Sequence, residues 1–452
     1  MSDEEYGAAT KNAETSPSKV ANFRMGGVTR ALLVVFCLLS AGISGKQTLW
    51  YLSHDPAFSD FRIFMTGVEM VRSGEGRDLY QFDAQERAQT RLYPATKIAG
   101  LLPFNHLAFE LLYYWPVSRL AYRAAVIAWA LINVGLVFLI GWLLTPYTRA
   151  LREATGVAIA LLLFAFYPVV FVLGEGQDSL IFLLLVVVSL RAMDAKRASL
   201  AGFVLALACF KLHLACSIAF FVFCLKGKWR ALAGFAVGAI TVFGVSMAMV
   251  GPSLMSDYLA MLRVQEGRTP WGFTPQYMPN LRGLLQWWLA PRVDMGTILP
   301  IIFVASVIVA GVAGWIVLRT RGEGEWSLIY SIAILTTVLI SYHLHMQDLS
   351  IATLPMLVLL DRFIGGRIAG EWNKARDGSG RLTVPIVLSG VWGATLFTAV
   401  VCLYLFRVVA VVSPALLIHG CVLSLPVLLL WMVGLRTFSC GWIEAAHLQS
   451  FA

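Results

Sequence analysis

The feature that most constrains this chain is an apolar run over residues 200–225 with an ionisable tip in its middle, Lys211-Leu212-His213. Basic clusters flank it on both sides, Arg191, Lys196 and Arg197 before and Lys226, Lys228 and Arg230 after. Short loops rich in Lys and Arg stay on the cytoplasmic side of a membrane, so a segment with both ends basic is expected to enter and leave by one face. Each arm of this hairpin has about 12 residues, or roughly 18 Å of helix. That reach puts Lys211 in the outer part of the bilayer. A charge inserted there costs about 2.5 to 3.5 kcal/mol, which predicts an anionic partner for Lys211.

The remainder of the chain is that of a polytopic membrane protein. Of its 452 residues 58% are hydrophobic and 13% charged, and mean hydropathy is +0.74, far outside the range of soluble domains. The net charge of +9 falls largely in short loops between apolar runs, where it sets topology, so no nucleic-acid partner is expected. The seven cysteines lie mostly inside apolar runs with no CxxC pair. They predict small buried hydrophobes, with neither a disulfide framework nor a zinc site.

Following the positive-inside rule predicts an all-α protein of about twelve transmembrane or partly spanning helices. A disordered cytoplasmic tail, 1–27, leads into a catalytic transmembrane module, 28–362, with spans near 31–49, 121–144, 157–173, 231–250, 298–318 and 328–340. Two large outer loops, 50–120 and 251–295, interrupt it, and a basic cytoplasmic loop, 363–383, and a C-terminal helix pair with its tail, 384–452, complete the chain. Both termini are then cytoplasmic, and several helices are too short to cross at full thickness.

In this threading the unusual polar clusters fall on the outer face, in five separate turns. Asp55 and Asp60 follow the first span, Gln177 and Asp178 the third, and Lys211 and His213 cap the hairpin. Asn280 and Arg282 sit in the second large loop, and His343, His345 and Asp348 form the last turn. Within the first loop Phe61, Phe64, Met65, Val68 and Val71 recur at helical spacing. They predict an amphipathic helix lying in the membrane interface, with Ser59 as its N-cap and Asp60 in its first turn. Arg62, Arg72, Arg77, Arg87 and Arg91 make the same loop a surface for lipid phosphate.

Asp60-Phe61, Thr66-Gly67, Gly76 and Leu79-Tyr80 resemble the first outer loop of glycosyltransferase family 87, polyprenol-phosphate-sugar-dependent mannosyltransferases of the integral-membrane C superfamily. Pro103-Phe104, Pro116 to Leu120, Trp129 to Asn133, Gly176-Gln177, Lys211, Asn280 to Leu284, His343 and Asp348-Leu349 follow in the same order. The chain departs from the family at Asn105-His106, near a common Pro-Pro pair, and at Lys211-Leu212-His213, where a Lys-Pro-Gln turn is usual. The resemblance implies the C-superfamily glycosyltransferase fold. It also implies transfer of a hexose, expected to be mannose, from a polyprenyl-phosphate carrier to a lipid or glycan acceptor, at the outer, periplasmic face of the cytoplasmic membrane. An acid of the first outer loop serves as base.

Inverting transfer needs one carboxylate to take the acceptor proton and cations to meet the charge growing on the leaving phosphate. Asp60 is the expected base; the alternative is a helix N-terminal acid stabilised by the macrodipole. Lys211 and His213, with Arg282 and His343, are expected at the donor phosphate, though Lys211 could instead snorkel to water and Arg282 could anchor its loop to headgroups. Asp55, Gln177, Asp178, Asn280, His345 and Asp348 are assigned to the acceptor or sugar, with Asp178 alternatively a cap for the following span. No resident metal is expected, because the outer loops lack an Asp-x-Asp pair and His343 and His345 stand two apart at a turn. A secondary transporter or lipid-linked glycan flippase is the competing reading, but its internal repeat with mid-bilayer interruptions is not found. A scaffold without chemistry leaves the insertion cost of Lys211 unexplained.

Overall fold

The computed structural model describes residues 27–53, 60–94, 101–267, 278–320 and 324–368. Asp55, Ser59, residues 1–26 of the tail, residues 369–383 of the basic loop and the pair 384–452 lie outside the described residues. Among the described residues all regular structure is helical. In chain order the main elements are α1 (Gly27–Ser53), α2 (Phe61–Arg72), α3 (Phe82–Leu92), α4 (Tyr122–Leu143), α5 (Ile159–Ala165), α6 (Tyr167–Glu175), α7 (Ser179–Asp194) and α8 (Ala198–Ala206). There follow α9 (Leu212–Ala219), α10 (Trp229–Val250), α11 (Leu254–Gly267), α12 (Leu281–Leu289), α13 (Met295–Arg319), α14 (Trp326–Ile340) and α15 (Thr353–Ile368).

Among the described residues α4, α10 and α13 are long and apolar enough to cross a membrane, and the broken pair around Lys211 adds a fourth if it counts as one span. Other expected spans are short or interrupted. The 157–173 span breaks at Phe166, which is extended with φ −80° and ψ 118°, and Pro168 opens the next helix. Proline lacks the N–H that an uninterrupted helix needs and suits the first turn of a new one. Helix α14 has only 15 residues, roughly 22 Å. Every side chain from Trp326 to Leu339 is buried, so this helix forms the centre of the bundle.

Around Lys211 the chain turns by 65° between its two arms. The first arm, α8, packs backbone to backbone on α10: a Cβ at Gly202 would lie 1.8 Å from the Ala231 carbonyl oxygen, and one at Gly234 2.0 Å from that of Ser199. Lys226, after the second arm, donates to the carbonyls of Val317 and Thr320 at 3.3 and 2.6 Å. The second arm therefore returns to the end of α13 that carries Arg319.

A second core forms under the outer loop. Phe64 of α2 stacks on Tyr114 and Tyr114 on Trp129 of α4, each with ring centroids 4.2 Å apart. Phe61, Phe64, Met65, Val68 and Met70 are all buried, and so is Arg62. The helix expected to lie in the interface is thus held inside the protein, its apolar face meeting aromatic rings. Arg72 pairs with Glu69 at 3.6 Å and Arg91 with Glu75 at 3.2 Å, so these members of the arginine group neutralise acids of their own loop.

Candidate active site

The site begins at the turn between α6 and α7. Gly176 ends α6 with φ +65°, a left-handed conformation that glycine adopts without strain. A Cβ there would stand 2.7 Å from Cβ of Phe61, so the turn closes directly on the start of α2. Two further contacts complete the grip. Gln177 Nε2 donates to Asp60 Oδ2 at 2.5 Å, and the backbone N–H of Asp60 points at Glu175 Oε2, 3.4 Å away.

Asp60 occupies the N-cap position of α2, yet its side chain makes no capping hydrogen bond. Its carboxylate is turned to Gln177 and the cavity, while its place at the N-terminus of α2 keeps it beside the positive end of the helix dipole. Burial raises its pKa above the usual carboxylate range; the Gln177 hydrogen bond and the charges of His345, Lys211 and His106 offset part of that rise.

The other turns join in one connected set. Lys211 Nζ donates to Asp348 Oδ1 at 2.7 Å and lies 3.3 Å from Asp178 Oδ1, with all three side chains almost fully buried. The anion that the insertion cost requires is therefore supplied by the chain itself. Asp348 also accepts from the Ser179 hydroxyl at 3.1 Å and the His345 N–H at 2.9 Å. Asp178 starts α7 without a capping bond and faces Lys211 instead. His213 Nε2 meets the His343 carbonyl at 2.8 Å, and the rings of His343 and His345 stand edge to face, 4.3 Å apart.

Asn280 and Arg282 serve this frame from behind. Asn280 caps α12 through the Gly283 N–H and donates to the Ser341 carbonyl at 2.7 Å. Arg282 donates to the Tyr342 carbonyl at 2.9 Å while its guanidinium lies over the Tyr342 ring, 4.0 Å from the centroid. Both hold the 341–345 turn, and neither lines the cavity.

That cavity has a volume of about 1240 Å³. Asp60, His106, Gln177, Lys211, His213, His343, His345 and Asp348 form its polar side; Ile240, Phe243, Met255, Leu259 and Leu262 form an apolar side, with Arg263 among them. Ile240 is 72% exposed on α10, so the apolar wall runs out to the surface of the bundle.

Four residues of the site region escaped the sequence reading: His106, Glu110, Glu175 and Arg263. His106 was visible only as a departure from the family's Pro-Pro pair. Glu110, fully buried amid apolar neighbours, carries the same signal as Lys211, an ionisable group whose desolvation needs a partner. Both Glu110 oxygens lie 2.7 and 2.8 Å from His106 Nδ1. Burial pushes Glu110 up to about 7 and His106 down to about 4. Donor atoms of His106, Glu110 and Asp178 fall within 4.8 Å of one another, a spacing that could take a cation. The Nδ1 atom is already engaged by Glu110, however, and Lys211 stands beside Asp178.

A family model described as Glycosyltransferase family 87 matches residues 108–341, a stretch that holds Gln177, Asp178, Lys211 and Arg282. Comparison with curated proteins finds no match.

Proposed function

Since the chain belongs to glycosyltransferase family 87, we propose that its cavity transfers a hexose, mannose by resemblance, from polyprenyl phosphate to a hydroxyl of a lipid or glycan, at the outer face of the cytoplasmic membrane. The observation that carries this reading is the half-buried Asp60 carboxylate, turned away from its own helix and aligned by Gln177 at the cavity wall. In the proposed step Asp60 takes the proton of the acceptor hydroxyl as its oxygen bonds to the anomeric carbon. The bond from that carbon to the phosphate oxygen breaks on the opposite side, and polyprenyl phosphate leaves with inversion.

Charge supports the division of the cavity. Lys211 keeps a third N–H beyond its two carboxylate contacts, and with His343 and Arg263 it provides donors for the leaving phosphate, while the N–H of His213 is taken by the His343 carbonyl. The apolar wall that opens at Ile240 suits an isoprenoid chain lying in the bilayer. Gln177 aligns the base, while Asp178, Asn280 and Asp348 support the frame on which the acceptor and His345 meet. No resident metal enters this reading, since Lys211 and Arg263 supply the positive charge.

The test is incorporation of radiolabelled hexose from polyprenyl-phosphate donors by the purified protein in lipid nanodiscs, with and without EDTA. Transfer should survive chelation, and Asp60→Asn should remain folded and lower the rate by at least about a hundredfold. Near-normal turnover in Asp60→Asn removes Asp60 as base.

A further inference from the structure

His106 stands in the cavity wall beside Phe64 and Phe104, its ring centroid 6.1 and 6.0 Å from theirs. Its Nδ1 lies almost equally between the two oxygens of Glu110, at 2.7 and 2.8 Å. One N–H shared by both oxygens of a carboxylate fits that arrangement, whereas a carboxylic O–H donating to nitrogen would favour a single oxygen. Glu110 is itself fully buried and cannot turn to water. The imidazole tautomer is thereby fixed with hydrogen on Nδ1, which leaves the lone pair on Nε2. Among the described residues no group engages Nε2, and the side chain is 23% exposed.

A lone pair aimed at a cavity selects among ligands. It accepts a hydrogen bond from a hydroxyl and repels a phosphate oxygen, which can only accept. The flanking rings of Phe64 and Phe104 supply an apolar wall, and one oriented polar atom within such a wall fixes a ligand's orientation. Resting on the glycosyl-transfer reading above, we propose that His106 is a specificity-determining residue whose Nε2 accepts a hydrogen bond from one sugar hydroxyl of the substrate, with Glu110 as the positioning residue behind it. The hydroxyl belongs either to the transferred hexose or to a sugar acceptor.

The experiment compares wild type and His106→Phe at pH 8, with whichever of polyprenyl-phosphate mannose, glucose or galactose the wild type uses best. Two series of monodeoxy analogues are run, one in the donor sugar and one in a methyl hexoside acceptor. In the wild type one analogue should lose about tenfold or more in kcat/KM relative to its siblings, the loss of one hydrogen bond. In His106→Phe that selectivity should vanish, all analogues being used alike. The series that contains the sensitive analogue identifies the source of the hydroxyl. His106→Gln, which restores an acceptor oxygen, should recover part of the discrimination, and it stands in for His106→Phe if the latter melts early. Equal discrimination in wild type and variants, or a uniform loss across both series, overturns the proposal while leaving the transferase reading intact. Absence of transfer from every donor by the wild type defeats both.

Discussion

Two aspartates in one cavity are held in opposite ways. Asp348 receives a lysine, a serine hydroxyl and a backbone N–H, whereas the half-buried Asp60 receives one side-chain hydrogen bond, from Gln177. The first balances charge; the second keeps proton affinity. Because burial raises Asp60, the carboxylate takes up its proton at a higher pH than a free aspartate does, and activity grows as pH climbs through its pKa. The acid limb of kcat/KM should therefore lie above the ordinary aspartate value of about 3.9. Gln177→Leu removes a bond that favours the ionised form, so its limb should move to still higher pH; a limb that stays put in that variant would detach Gln177 from the base. Lys211 invites the opposite experiment. Lys211→Met leaves Asp178 and Asp348 buried without their cation, a loss of about 3–5 kcal/mol, and Asp348→Asn added to it should recover much of the lost melting temperature. Single and double variants that melt like the wild type would mean the cluster is not held as described. Insertion cost made Lys211 legible in the sequence, but its carboxylate partners were not, because Asp178 and Asp348 lie 33 and 137 residues away.

At the scale of elements, hydropathy located some of the apolar spans to within a few residues. The expected 121–144 and 231–250 appear as α4, Tyr122–Leu143, and α10, Trp229–Val250. It misplaced α2, since a 3.6-residue apolar stripe reads the same whether it meets lipid or protein. The aromatic stack from Phe64 through Tyr114 to Trp129 decides the matter, and it joins residues of three separate segments. The α8 and α10 contact was equally hidden, because glycine in a membrane helix does not announce which neighbour it admits. Here the neighbour is a carbonyl, and Gly202→Val should force the helices apart, lowering yield and melting temperature by the equivalent of about 1–3 kcal/mol or more. Gly244→Val makes the control: on α10 as well, it has nothing within 4 Å of its new Cβ and should melt like the wild type. Equal behaviour of the two variants would contradict the close packing.

For the whole molecule, the positive-inside threading anticipated that five remote turns share one side, and hydrogen bonds join the described members of those turns into one set. What it could not give was the order of contact within the set, which depends on packing angles that hydropathy does not encode. The same scattering along the chain governs how the protein is made. Asp178 precedes Lys211 and is available as soon as the charged tip enters the membrane, but Asp348 emerges 137 residues later. At synthesis rates of about 5–20 residues per second, the tip waits on the order of ten seconds for its second carboxylate. Of the two carboxylates that hold Lys211 in the finished protein, only Asp178 is thus already made when the charged tip is synthesised.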